Sequence, residues 1–250
     1  MSLHRARAFV FDLDDTLIDW SGAERRAFAA TVADVLEPLG IDLPAARAAY
    51  TQVLEENFRA YQKDGRWWYA RDRLRRLLEI LDEPRLHADD VALAFRGHVD
   101  AQIGFLDGAM DLLDALRERG LAVGLLTNGP APFQREKFDR LDVADRFDFV
   151  GISGELGHWK PDEAAFQAVA AGLGVPVTDW VMVGDSLHFD LEPAKALGAT
   201  TVWMRPPEPD PAQGPPPPWS GMGPPVDHAL ATFVDHVVDS PAQLLGLLAD

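Results

Sequence analysis

Asp12, Asp14 and Asp15 fall within four positions of one another, directly after an apolar run, in FVFDLDDTLIDW (residues 9–20). Residues two apart on an extended chain point to the same side, so the Asp12 and Asp14 carboxylates face one spot. Asp185 and Asp190 stand in GDSLHFD, Lys160 stands in GHWKPD, and Thr127-Asn128-Gly129 ends another apolar run. Brought together, these residues set four carboxylates against one ammonium, a field that repels a phosphate dianion unless a cation is present. Mg²⁺ answers that conflict, because it takes hard oxygen ligands, usually one or two carboxylates with water and substrate phosphate. A carboxylate is ionised at neutral pH and needs no base to attack phosphorus. A neighbouring carboxyl can protonate the leaving oxygen and later deprotonate water. Lysine and the Thr-Asn pair suit the equatorial oxygens, where transition-state charge grows. The competing assignment for the same acids is structural, since aspartate often caps turns and helix starts after strands.

The elements that must carry these residues follow one rhythm. LAVGLLT (residues 121–127), FDFVGIS (147–153) and WVMVGD (180–185) are short apolar runs ending in small or polar residues. They alternate with helical stretches, the βαβ signature of a parallel sheet covered on both faces. Residues 201–204 and 237–238 add further strands. The predicted fold class is α/β, with a Rossmann-like doubly wound parallel sheet whose ligand crevice lies beyond the carboxyl ends of the strands. Polar strand ends therefore converge on one rim.

Residues 19–104 break the rhythm with helical periodicity and no strand pattern, far longer than a plain connection. They are predicted to form an inserted α-helical cap domain, leaving residues 1–18 and 105–250 as the catalytic core. Ser21 to Glu24 has the form of a capping box, Pro44 suits the first turn of a second helix, and residues 66–81 and 88–102 supply two more. In this insert Arg66, Trp67, Trp68, Arg71 and Arg75 mix guanidinium groups with aromatic rings. They form either a substrate-recognition surface, with Arg66, Trp67 and Arg71 as its candidates, or the wet face of an ordinary amphipathic helix.

DLDDT (residues 12–16), LLTNG (125–129), KPD (160–162) and GDSLHFD (184–190) resemble, in order, the four motifs of the haloacid dehalogenase superfamily of hydrolases. The resemblance spans nearly the whole core, and the helical insert stands where that superfamily carries its first, C1-type cap. It implies that Asp12 is nucleophile and metal ligand, and that Asp14 is acid/base with its backbone carbonyl on the metal. Asp185 becomes a further metal ligand, Thr127 and the amide of Asn128 bind the phosphoryl oxygens, and Lys160 holds nucleophile and phosphate in register. Asp190 supports the lysine or a metal-bound water, and Asp15 turns outward to stabilise the turn. Phe189 stands where many relatives carry Asn, and Pro193 where a Gly is common.

Composition narrows the partners. The 250 residues are 47% hydrophobic and contain no cysteine, which removes disulfides, thiolate metal sites and cysteine nucleophiles and suits a reducing compartment. A net charge of −17 opposes binding of nucleic acid through a general field. Only three apolar residues, 9–11, follow the basic N-terminus, well short of a secretory or membrane segment; the expected location is cytoplasmic. Only four of the 23 basic residues are lysines (63, 137, 160 and 195), so a lysine at position 160 argues for a compact charge there. Residues 206–225 hold ten of the nineteen prolines and read as a stiff surface loop or a polyproline docking segment.

Together these features predict a Mg²⁺-dependent phosphatase of a small phosphorylated metabolite: a nucleotide, sugar or glycolate-type monoester. The alternatives are a 2-haloacid dehalogenase, a phosphosugar mutase and a non-enzymatic scaffold. Displacing halide requires no proton, so Asp14 favours phosphoryl chemistry.

Overall fold

In the computed structural model, which describes residues 3–64, 68–206 and 230–248, the apolar run after Arg7 becomes β1 (Ala8–Phe11), buried at all four positions. Burial on both faces is what a central strand of a parallel sheet requires. Four helices follow: α1 (Trp20–Thr31), α2 (Leu43–Asp64), α3 (Ala70–Ile80) and α4 (Ala88–Gln102). The chain continues through α5 (Ala109–Glu118), β2 (Ala122–Thr127), α6 (Ala131–Leu141), β3 (Phe149–Ile152), the single turn α7 (Ser153–Leu156) and α8 (Glu163–Leu173). It ends with β4 (Trp180–Gly184), α9 (Glu192–Ala196), β5 (Thr200–Met204), α10 (Leu230–Phe233), β6 (His236–Val238) and α11 (Pro241–Leu247). Contacts divide the described residues into two units, one of residues 3–19, 104–206 and 230–248, the other of residues 20–64 and 68–103.

The first unit is the predicted α/β architecture. Among the described residues its sheet has six strands in the order β3-β2-β1-β4-β5-β6, every neighbouring pair parallel. Ala8 and Val10 join Trp180 and Met182 in a cluster with Phe166 and Val169 of α8 and Ala194 of α9. Phe9 and Phe11, pointing the other way, are also fully buried. The chain passes outward from β1 to β2 and β3, then crosses back to β4 beside β1. The switch point thus lies between β1 and β4, and their carboxyl ends open the crevice where such sheets bind ligands.

In the second unit, apolar residues at helical spacing meet in one core: Phe28 of α1, Tyr50, Val53 and Leu54 of α2, Leu74, Leu77 and Leu78 of α3, and Val91, Phe95 and Val99 of α4. Pro44 sits in the first turn of α2 as expected. The capping box does not form. Helix α1 begins at Trp20, which places Ser21 and Glu24 inside it, and the Glu24 carboxylate is drawn to Arg73, 2.7 Å away, with both side chains buried. A buried guanidinium demands a counter-charge more strongly than the amides at a helix start demand this particular cap. Tyr50 lies beside the pair, the Arg73 guanidinium carbon being 5.9 Å from its ring centre. Helix α3 starts at Ala70 rather than near 66, because the Trp68 amide donates to Asn57 Oδ1 instead (2.8 Å). Arg66, Trp67 and residues 207–225 lie outside the described residues. Arg71 makes an exposed ion pair with Asp89 (2.5 Å).

Truncating one member of the buried pair leaves the other charge uncompensated, which typically costs about 3–5 kcal/mol. Chemical denaturation of Glu24→Leu and of Arg73→Leu should show losses of that size, and the double variant should recover most of them. Losses that simply add would contradict an ion pair at this position.

Candidate active site

Strand ends deliver Asp12, Thr127 and Asp185, and the segments that follow β3 and β4 deliver Lys160 and Asp190. Asp12 follows β1, and its amide donates to the Val183 carbonyl of β4 (2.9 Å), which pins the chain where the two central strands part. Thr127 is the last residue of β2, and Asp185 follows β4. Asp190 arrives through a π-helical turn, Leu187–Leu191, started by Ser186, whose hydroxyl accepts from the Phe189 amide (3.1 Å). Such turns recur at functional sites because they swing one side chain out of helical register. The Asp190 carboxylate packs over Gly184, where a Cβ would come within 2.4 Å of it. Only glycine admits that approach.

Lys160 is the cation of this cluster. Its ammonium donates to Asp12 Oδ1 and to Asp190 Oδ1, both at 2.6 Å, and its side chain is 3% exposed. The second Asp190 oxygen accepts from the Ser186 amide (3.1 Å). Asn128 secures the lysine's backbone from both sides: its Oδ1 accepts from the Lys160 amide (2.9 Å) and its Nδ2 donates to the Lys160 carbonyl (2.9 Å). Ser153 at the end of β3 donates to the same Asn128 oxygen (2.6 Å).

The electrostatics follow from burial. Desolvation raises the Asp12 pKa to about 7, with Asp190 and Asp14 adding to the rise and Lys160 opposing it. Asp185 is likewise pushed up, first by burial and then by Asp12, Asp15 and Asp190. Burial alone would favour a neutral Lys160, but Asp12 and Asp190 more than offset it and hold the ammonium charged. One lysine therefore does not neutralise the cluster. Oxygens of Asp12, Asp185 and Asp190 all lie within 4.8 Å of one another, a buried, all-oxygen donor set with excess negative charge. That is the donor chemistry of a hard divalent cation.

Strand β1 ends at Phe11, and the Asp14 carboxylate beyond it is not one of the two that Lys160 contacts. Asp14 is held instead by a second ammonium, Lys137 of α6, at 2.6 and 2.7 Å from its two oxygens. Gln134 of α6 donates from Nε2 to Asp14 Oδ2 (3.1 Å), Thr127 Oγ1 (2.9 Å) and the Asn128 carbonyl (2.7 Å). Sequence reasoning passed over Gln134, Lys137 and Ser153. The scarcity of lysine was a usable signal for Lys137, as it was for Lys160. Asp15 adopts a left-handed conformation (φ 62°) in the turn after β1, which aspartate tolerates, yet its charge still contributes to the rise at Asp185.

A family profile described as haloacid dehalogenase-like hydrolase matches residues 6–198. The glyceraldehyde 3-phosphate phosphatase of Pyrococcus furiosus is 28% identical over 98% of this chain and 94% of its own. The ribulose-1,5-bisphosphate 5-phosphatase of Halopiger xanaduensis is 29% identical over 81% and 86%. Among solved structures, the HAD-hydrolase YfnB of Bacillus subtilis, bound to magnesium, superposes with a TM-score of 0.67 at 21% identity, covering 98% of this chain and 100% of that one.

Raised folded-state values at Asp12 and Asp185 mean that, without a cation, the native state holds protons the unfolded chain has released. Stability from Asp12 is then present below about pH 4 and lost as pH rises toward about 7, and Asp185 adds a loss of the same sign as pH rises above about 4. In chelator, thermal denaturation of Asp185→Asn should show a shallower decline over that range than the unsubstituted protein, worth a few °C at neutral pH at about 2–4 °C per kcal/mol. A divalent cation should restore the unsubstituted protein and leave the variant nearly unmoved. Identical slopes with and without Asp185 would exclude it as part of the charge cluster.

Proposed function

This chain belongs to the haloacid dehalogenase-like hydrolase family, and we propose that within it the protein is a Mg²⁺-dependent phosphatase acting on a small phosphorylated metabolite. The observation that carries this reading is the pairing of two carboxylates with two different lysines at one rim, Asp12 with Lys160 and Asp14 with Lys137. Asp12 is the nucleophile: its free oxygen attacks phosphorus, the bond from phosphorus to the leaving oxygen breaks, and Asp14 gives that oxygen a proton. Asp14 then takes a proton from the water that attacks the aspartyl phosphate, releasing inorganic phosphate and restoring Asp12. The carboxylates of Asp12 and Asp185 and the backbone carbonyl of Asp14 would hold Mg²⁺, which would supply the positive charge that keeps Asp12 ionised and admits a phosphate dianion. Thr127 Oγ1 and the Asn128 amide meet the equatorial oxygens, while Lys160 keeps the nucleophile's other oxygen fixed. Asp190, with both oxygens engaged by Lys160 and the Ser186 amide, acts as support.

The helical unit of residues 20–103 is the family's cap-type insert in this proposal, and the named relatives support a sugar- or triose-type phosphate monoester as substrate. Phosphate release from a panel of such monoesters in Mg²⁺ should fall by roughly 10⁴-fold or more in Asp12→Asn, the scale at which a removed nucleophile registers. Retained turnover in that variant would remove Asp12 as nucleophile and the proposal with it.

A further inference from the structure

Two residues of α6 have no task in the chemistry just described, yet both are buried at the rim. Lys137 is 4% exposed in its side chain, and the carboxylate it grips is 26% exposed. A buried ammonium is costly, and a partner half in water repays that cost less well than a buried one would. Gln134 is 1% exposed; its Nε2 faces three acceptors while its Oε1 is buried with no hydrogen-bond partner among the described residues. An orphaned buried carbonyl carries a desolvation cost that no partner offsets. A side chain chosen for stability alone would not leave it so. Gly129 makes the approach possible: its φ of +147° suits glycine, and a Cβ there would lie 2.9 Å from Gln134 Cγ.

The geometry points to Lys137 and Gln134 as positioning residues for Asp14, together locking the acid/base carboxylate in one orientation and tying it to the phosphate-binding Thr127. Lys137 contacts both carboxylate oxygens, so rotation of the carboxylate about its last bond breaks one contact or the other. Gln134 joins one of those oxygens to Thr127 Oγ1 and the Asn128 carbonyl through one nitrogen. The two residues are three apart on α6 and therefore share a face. The Lys137 ammonium also lies 4.5 Å from the centre of the Phe133 ring, which limits its own freedom. With the lock in place, the carboxyl O–H of protonated Asp14 keeps a fixed aim at the leaving oxygen. Without it, the proton must be delivered from a carboxyl that samples several rotamers.

This inference rests on the proposed aspartyl-phosphate chemistry, and leaving groups separate the two. An alkoxide must be protonated as its bond to phosphorus breaks, whereas p-nitrophenolate departs without a proton. The ratio kcat/KM reports steps through formation of the phosphorylated Asp12, so it isolates the step in which Asp14 is the acid. In Lys137→Met, kcat/KM for an alkyl phosphate such as glycerol phosphate should fall about 10²-fold, the lower end of a general acid's contribution. For p-nitrophenyl phosphate the fall should be only a few-fold. Gln134→Leu should show the same selectivity with a smaller loss, and it carries the test if Lys137→Met does not fold. In an Asp14→Asn background, Lys137→Met should cost almost nothing more. Equal losses on both esters, or additive losses with Asp14→Asn, would overturn the inference while leaving Asp12 as nucleophile. Full activity of Asp12→Asn would instead remove the chemistry on which it rests.

Discussion

One buried ammonium placed between two buried carboxylates organises the sheet unit's rim. Moving such ions out of water costs several kcal/mol each, and the cost is recovered only with close geometry and full hydrogen bonding. Lys160 meets that demand with two 2.6 Å contacts, to Asp12 and to Asp190. Much of the surrounding structure serves those contacts. Gly184 leaves room for Asp190, the π-helical turn aims it, the Ser186 amide holds its other oxygen, and Asn128 fixes the backbone that carries the lysine.

The arrangement remains one cation short. Asp12 and Asp185 rise first because burial strips them of water, and then because a single buried ammonium does not balance three buried acids. A site built this way is stable only as far as its scaffold tolerates the repulsion, and it becomes an asset once a divalent ion enters. The charge deficit falls on a buried, all-oxygen donor set, the chemistry that suits a hard divalent cation. Asp14 differs in its partner, because α6 gives it a cation of its own. Two carboxylates two residues apart consequently live in different surroundings, one buried among acids and one at the edge beside a lysine. Divergent surroundings are what allow neighbouring acids to take different chemical roles.

Most of the sheet was legible in the amino-acid sequence because its strands are short, mostly apolar runs, and β1, β2 and β4 are closed by aspartate, threonine and glycine. The positions of Asp12, Thr127, Lys160 and Asp185 follow from that rhythm, since all four lie at or just beyond strand ends or in the loop after β3. Helix interiors were harder to read. Gln134 and Lys137 sit in PAPFQREKF, whose pattern is that of any solvated amphipathic helix, and nothing local shows that its polar face turns to the rim. Glu24 was misread for the converse reason. Its spacing from Ser21 fits a cap, and the competing partner, Arg73, lies 49 positions away in sequence. Local signals report short-range competition for hydrogen bonds; a distant buried charge overrides them.

The same economy of charge explains the choice of lysine. A chain of −17 net charge repels anions at long range, so attraction of a phosphate ester must be created within a few ångströms of the site. Arginine supplies most of the cations elsewhere, and in the helical unit its planar group pairs with Glu24 and Glu56. At the rim both cations that touch Asp12 and Asp14 are lysines. A guanidinium spreads its charge over a rigid fork, whereas an ammonium concentrates it at one point on a flexible stem and can bridge two acids or two oxygens of one acid. Lys160 does the first and Lys137 the second. Point charges of that kind order the acids without covering them, and the uncovered oxygens are the ones left for chemistry.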